Sequence, residues 1–139
     1  MKAVTLHRPW AQAIADWSKR VENRNWKPRL QQGEWFAIHA GKRFDSVGAN
    51  WIANIEGAQI SEPSCATGIV AIAQYGGILT WEQASLSDNK WLGDADYCWM
   101  LSQVITLDEA ISCPGKQGLW SVPSEIAGRL SLLIPEGEA

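Results

Sequence analysis

The sequence predicts an α+β domain: a small mixed barrel of about five or six short strands with two or three helices on its outside. Three observations lead there. The chain has 139 residues, 46% of them hydrophobic, which suits one domain with a core that needs no disulfide staples. Its strand-like segments are separated by turns as well as by helices. Strict strand–helix alternation fails after residue 75, and no GxGxxG or P-loop sequence occurs, which argues against a doubly wound parallel sheet. No repeat, low-complexity tract or linker divides residues 1–139.

Taken in order, Ala3–Leu6 reads as a short strand. Pro9 suits the first turn of a helix, where its missing N–H costs nothing, and Trp10, Ala13, Ile14 and Trp17 form one helical stripe. Val21–Trp26 is expected to be extended, Arg29–Gly33 a turn, and Glu34–Ala40 a strand. A second helix is predicted over Phe44–Ile55, with Val47, Trp51 and Ile55 at four-residue spacing. Ala66–Tyr75 is the clearest strand, expected to end at Gly76-Gly77. Trp81–Leu92 suits a loop or short helix, and Tyr97–Thr106 is strand-like. The turn Pro114–Gly118 leads into Leu119–Val122, Pro123–Leu130 suits a helix, and Leu132–Ile134 a closing strand.

Composition narrows the function. The longest near-continuous apolar run, Ala66–Ala73, falls far short of the ~20 residues a bilayer crossing needs. The segment before Trp10 has no long apolar signal region. The expectation is therefore a soluble, cytoplasmic domain without membrane contact. Cys65, Cys98 and Cys113 are widely spaced, form no CxxC pair, and are read as free thiols; His7 and His39 are also far apart. No metal or other cofactor is expected. The net charge of −3 argues against a strongly basic, nonspecific nucleic-acid binder. Yet residues 1–43 hold nine Lys or Arg against three acids, a net +6, while the remaining 96 residues are −9. Either one cationic face meets an anionic ligand, or the charges are scattered over solvent.

The densest polar cluster is Lys19-Arg20-Val21-Glu22-Asn23-Arg24-Asn25-Trp26. In an extended chain Glu22, Arg24 and Trp26 share a face, and Lys19 lies close enough to approach Glu22. Arg24 supplies a planar fork for carbonyl or phosphate, Lys19 a point charge, Glu22 an acceptor and Trp26 a stacking surface. The same residues could be a plain ion-pair patch. His39 is placed on the face of Trp35 and Ala37, as a satisfied core residue or a ligand donor, and Lys42 follows at the strand exit. Tyr97, Trp99 and Leu101 share one face, as core or as cavity wall; Gln117–Trp120 could close the same pocket. No Ser–His–Asp arrangement or activated nucleophile stands out.

Three blocks resemble the ASCH (activating signal cointegrator homology) family of PUA-like domains. They are Leu6-His7-Arg8-Pro9-Trp10-Ala11, the Lys19–Trp26 cluster, and Phe36-Ala37-Ile38-His39-Ala40. Trp99 and Gly118-Leu119-Trp120 look like the family's closing elements. The resemblance covers nearly the whole chain and is most specific over residues 4–42. It implies a PUA-like β-barrel whose cleft is lined by Arg8-Pro9-Trp10, by Lys19-x-x-Glu22-x-Arg24 and by His39. Such domains are proposed to bind RNA or nucleotide-like ligands. Some small relatives are ribonucleases, or amidases acting on acylated cytidine derivatives. In the amidase-like relatives a lysine followed three residues later by a threonine, plus a separate glutamate, carries catalysis. Lys19 matches the lysine, but Glu22 stands where the threonine would be.

The leading expectation is a domain that binds RNA or a modified nucleobase or nucleoside in an aromatic, basic cleft. Its ligand-binding residues would be Arg8, Pro9, Trp10, Arg24, Trp26, His39, Lys42, Trp99 and Trp120. The alternative is a metal-independent amidohydrolase or ribonuclease with Lys19 and Glu22 catalytic, Glu22 as the base. A third is an adaptor domain in which the polar cluster is an internal strut. Ligand identity and oligomeric state are open at this point.

Overall fold

The computed structural model describes residues 1–138. Strand β1 (Lys2–Arg8) buries Ala3, Val4 and Leu6 and passes through Pro9 into α1 (Trp10–Asp16). This helix is only two turns long, too short to persist alone in water. It is held by Ala11, Ala13 and Ile14, none of which exposes any surface. Its carbonyl end is closed by Arg20, whose Nη1 donates to Ile14 O at 3.0 Å, Lys19 O at 3.2 Å and Trp17 O at 3.3 Å. The carbonyl of Ile14 is an acceptor that a helix end leaves without a partner. The chain then turns back as β2 (Val21–Arg24).

Strand β3 (Trp35–Phe44) lies near the middle of the sheet. Residues 35–40 are all buried, as expected where both faces of a strand are covered. Phe36 and Ile38 face the α1 side of the core, with Trp99 and Leu101. Trp35 and Ala37 face the other side, with Trp120 and Leu130. Each fully buried Phe, Ile or Leu among them contributes roughly 1.5–3 kcal/mol by leaving water. After β3 come α2 (Ser46–Glu56) and a 3₁₀ turn at Glu62–Ser64. Then follow β4 (Gly68–Thr80), the single-turn α3 (Trp81–Ala84), β5 (Tyr97–Ile111), β6 (Leu119–Ser121) and α4 (Ser124–Ser131).

The six strands form one mixed sheet in the order β2-β5-β4-β3-β1-β6. Only β1 and β3 are parallel; the other neighbours are antiparallel. The α+β class is as expected, but the sheet is open: its edge strands β2 and β6 do not pair, so the expected barrel does not close. Two further expectations are corrected. Strand β4 does not stop at Gly76-Gly77. It runs through them to Thr80, with a register shift against β5 between Tyr75 and Ile78, where Gly77 supplies a φ of 107°. Leu132–Ile134 is not a strand. It is a turn closing α4, with Leu133 N donating to Leu130 O at 3.0 Å and Ile134 N to Ser131 O at 3.3 Å.

Parallel pairing of β1 and β3 has a consequence for the site. Their carboxyl ends lie on one side, so the helices that follow, α1 and α2, both begin there. Asp45 N at the entrance to α2 donates to Arg8 O at 2.7 Å. Crevices at strand carboxyl ends are common ligand positions in mixed sheets.

Candidate functional site

A cavity of about 630 Å³ opens between the start of α1, strand β2 and the start of α2. That is within the range of roughly 300–1,000 Å³ typical of small-molecule sites. Its polar wall is Lys19, Glu22 and Arg24. Lys19 has only 2% of its side chain exposed. Its Nζ donates to Val21 O at 2.6 Å and to Glu22 Oε1 at 3.1 Å. The other oxygen of Glu22 accepts from Arg24 Nε at 2.8 Å, and Arg24 Nη2 donates to Thr5 O at 3.1 Å. One carboxylate is thus clamped between two cations. The donors this cluster leaves over among the described residues are one hydrogen of Lys19 Nζ, the Nη1 group of Arg24 and the second hydrogen of its Nη2. The expected contact of Lys19 and Arg24 with Glu22 is formed.

The cavity is also lined by tryptophans, of which Trp91 is only 3% exposed and backs the others. Trp10 and Trp51 have ring centroids 5.8 Å apart, and Trp51 and Trp91 6.0 Å. Lys19 Nζ lies 5.8 Å from the Trp10 ring, within cation–π range. Trp10 is fixed by its Nε1, which donates to Asp45 Oδ2 at 2.9 Å. Asp45 also caps α2 by accepting from Gly48 N at 2.9 Å. These two bonds pull its carboxyl below the usual carboxylate range. Gly48 has to be glycine: a Cβ there would lie 2.7 Å from both Asp45 Oδ2 and Trp10 Nε1. Asp45, Trp51 and Trp91 escape a reading of the sequence for site residues. An aspartate just before a helical stripe is an N-cap signal that would have found Asp45. Nothing local marks Trp91, which arrives from a loop between α3 and β5.

The remaining expected residues are distributed differently. Trp99 has no exposed surface and Trp120 only 5%; each is core, so neither offers a face for stacking. Trp99 Nε1 donates to Trp26 O at 3.1 Å, and Trp26 packs edge-on against Trp99 at 4.9 Å, outside both cavities described here. Pro9 is buried at the start of α1. Arg8 is spent internally. It donates to the carbonyls of Gly41 (3.2 Å), Cys65 (3.1 Å), Glu62 (3.2 Å) and Lys42, and it pairs with the Glu62 carboxylate at 3.0 Å.

His39 is buried beside Trp120. Its Nε2 lies 2.7 Å from Cys113 O; a carbonyl only accepts, so Nε2 carries a proton. Nδ1 lies 3.2 Å from Thr5 Oγ1, which in turn accepts from Trp120 Nε1 at 3.0 Å. A neutral ring satisfies this chain with Thr5 donating to Nδ1. His39 thereby ties β3 to the 112–118 loop. It also lines a second cavity of about 940 Å³, together with Lys42 and Lys116. The two cavities share Thr5, His7 and Arg24 as a common wall.

Cys65 and Cys98 are buried and Cys113 half-buried, all as free thiols; burial pushes each thiol pKa up, which disfavours the nucleophilic thiolate. Among the described residues no group of three or more His, Cys, Asp or Glu is placed to hold a metal ion. No helix there is long and apolar enough to cross a membrane.

No family model matches the sequence, and no curated protein does. Solved structures do. The ASCH protein of Zymomonas mobilis superposes with a TM-score of 0.55 at 15% identity, covering 95% of this chain and 94% of that one. A serine-to-alanine variant of the same protein gives 0.56 at 15% identity and 94% of both chains. A tyrosine-to-phenylalanine variant gives 0.51 at 16% identity, over 95% and 96%. At this identity the likeness is one of fold, and it spans nearly the full length of each chain: the polypeptide adopts an ASCH-like fold, with the Lys19–Glu22–Arg24 cavity set at its parallel strand ends.

Proposed function

We propose that this protein binds a nucleobase-bearing ligand, RNA or a modified nucleoside, with the base held in the cavity between Trp51 and the Lys19–Glu22–Arg24 wall. One observation carries the reading: an exposed indole, Trp51, and an ion network with unused donors line one space of about 630 Å³, with Trp10 and the buried Trp91 packed against Trp51. Indoles supply a π-surface that any base can stack on, worth about 1–3 kcal/mol per base. The Nη1 group of Arg24 and the remaining Lys19 hydrogen are donors suited to a base carbonyl or ring nitrogen. Trp51 is 41% exposed, a large apolar side chain left open to solvent beside those donors. A base in RNA would enter unstacked, as single-stranded recognition requires.

The test is a calorimetric panel of nucleosides, modified nucleosides and short single-stranded RNAs. Trp51→Ala is expected to weaken the best ligand by about ten- to a hundred-fold, and Arg24→Ala to weaken it by about ten-fold or more. Affinity unchanged in both variants, or no binding anywhere in the panel, overturns the reading.

The burial of Lys19 against Glu22 at 3.1 Å within the same cavity supports a second reading, hydrolysis. Glu22 would activate water and Lys19 would stabilise developing negative charge. Acylated nucleosides and RNA are the substrates to assay. Activity that survives both Lys19→Ala and Glu22→Gln removes this mechanism.

A further inference from the structure

The cavity beyond Arg24 differs in chemistry from the tryptophan cleft. It is lined by Lys42, Lys116, His7 and Arg24, and among the described residues no carboxylate lines it. Lys42 and Lys116 are exposed and take part in none of the ion pairs among the described residues. One side of this cavity is the loop Cys113–Gly118. There the amides of Gly115, Lys116 and Gln117 donate to no other backbone group among the described residues. Successive amides without backbone partners, beside two lysines, are donors available to an anion.

This wall is also held in place. His39 Nε2 donates to Cys113 O at 2.7 Å. Gly115 passes so close to the His39–Thr5 pair that a Cβ would lie 2.6 Å from His39 Cε1 and from Thr5 Oγ1. Lys42 comes from the last residues of β3 and Lys116 from the loop before β6. Both line the second cavity and not the first, Trp51 lines only the first, and Arg24 lines both. A ligand with one aromatic and one anionic half would therefore straddle Arg24.

We propose that this second cavity is a phosphate subsite, so that the ligand whose base enters the tryptophan cleft is a nucleotide rather than a free nucleoside. The inference rests on the nucleobase reading above and adds to it the charged half of the ligand. The phosphate is held by Lys42, Lys116 and the amides of the 115–117 turn, by charge-assisted hydrogen bonds. Arg24 reaches both halves.

The test compares the four nucleosides, their 5′-monophosphates and unphosphorylated tetraribonucleotides in calorimetry on the full chain at low salt. The 5′-monophosphate or the tetranucleotide is expected to bind about ten-fold or more tightly than the matching nucleoside. Tighter binding of the monophosphate assigns a terminal phosphate, and tighter binding of the tetranucleotide a phosphodiester. The Lys42→Ala/Lys116→Ala double variant is expected to abolish that advantage while leaving nucleoside affinity unchanged; Trp51→Ala is expected to weaken both. Thermal melting of the double variant checks that its fold is intact. Equal affinity for nucleoside and phosphorylated ligand overturns the phosphate subsite and leaves the tryptophan cleft standing. Retention of the phosphate advantage in the double variant also overturns it. Binding of nothing in the panel overturns this inference, and overturns the cleft reading with it when the modified nucleosides tested above also fail to bind.

Discussion

Glu22 is the residue on which the site's electrostatics turn. Its two oxygens accept from Lys19 and Arg24, and Lys19 is nearly inaccessible to water. Removing the carboxylate leaves a buried ammonium with one carbonyl partner, a loss of about 3–5 kcal/mol for a buried pair. Glu22→Ala is therefore expected to lower the stability read by urea denaturation by about that amount. Lys19→Met/Glu22→Met is expected to cost much less than the two single changes summed, because neither charge is then stranded. Additive losses would show that the two groups do not interact. This cluster was legible in the sequence, since three-residue and two-residue spacings bring its members together. The chain Trp120–Thr5–His39–Cys113 was not. Its bonds join residues 115, 34 and 74 positions apart, and no local pattern encodes such a meeting.

Among the elements, α2 shows how a helix can turn its large residues away from the core. The spacing of Val47, Trp51 and Ile55 suggests a core-facing stripe. The helix instead buries Gly48, Ala49 and Ile52, leaving Val47 78% exposed and Trp51 41% exposed. Gly48 allows a close approach to Trp10, Val47 and Trp51 become cavity wall, and Ile52 and Ile55 pack into the core. The helix start depends on Asp45, whose loss as an N-cap costs about 0.5–2 kcal/mol. The folded pKa of Asp45 lies below its ordinary value, so its contribution is fully present above the unfolded pKa, near 3.9. It fades as pH falls through the depressed folded value. The stability gap between the parent chain and Asp45→Ala is thus expected to stay flat from about pH 7 to 5 and to close below about pH 4. A gap that persists unchanged at pH 2 would show that the charge is irrelevant to the cap.

For the whole molecule, the basic N-terminal third divides between interior and surface, with Lys2, Arg20, Lys27, Arg29, Lys42 and Arg43 exposed. Arg8 and Lys19 are buried, and Arg24 is paired with Glu22. Lys42 joins Lys116, which lies far along the chain, at the second cavity. A ligand held there engages one or two phosphates rather than a long tract. The slope of log K against log salt is therefore expected to be shallow, about −0.7 to −1.4 for single-stranded RNA. A slope steeper than about −3, measured by titration across salt, would indicate an extended surface contact instead.

Local chemistry made several features readable from residues alone. Helix α1 followed from apolar spacing, the Lys19–Glu22–Arg24 contacts from short-range geometry, and the alternating faces of β3 and β5 from the two-residue period of a strand. The ASCH-like fold was legible through its N-terminal motifs. Tertiary structure alone decided whether the sheet closed, because closure depends on two edge strands, β2 and β6, meeting across the whole molecule. It also decided which tryptophans became wall and which became core. All nine carry the same apolar surface, and only packing against distant elements assigns it, burying Trp99 and Trp120 and leaving Trp51 open beside Arg24.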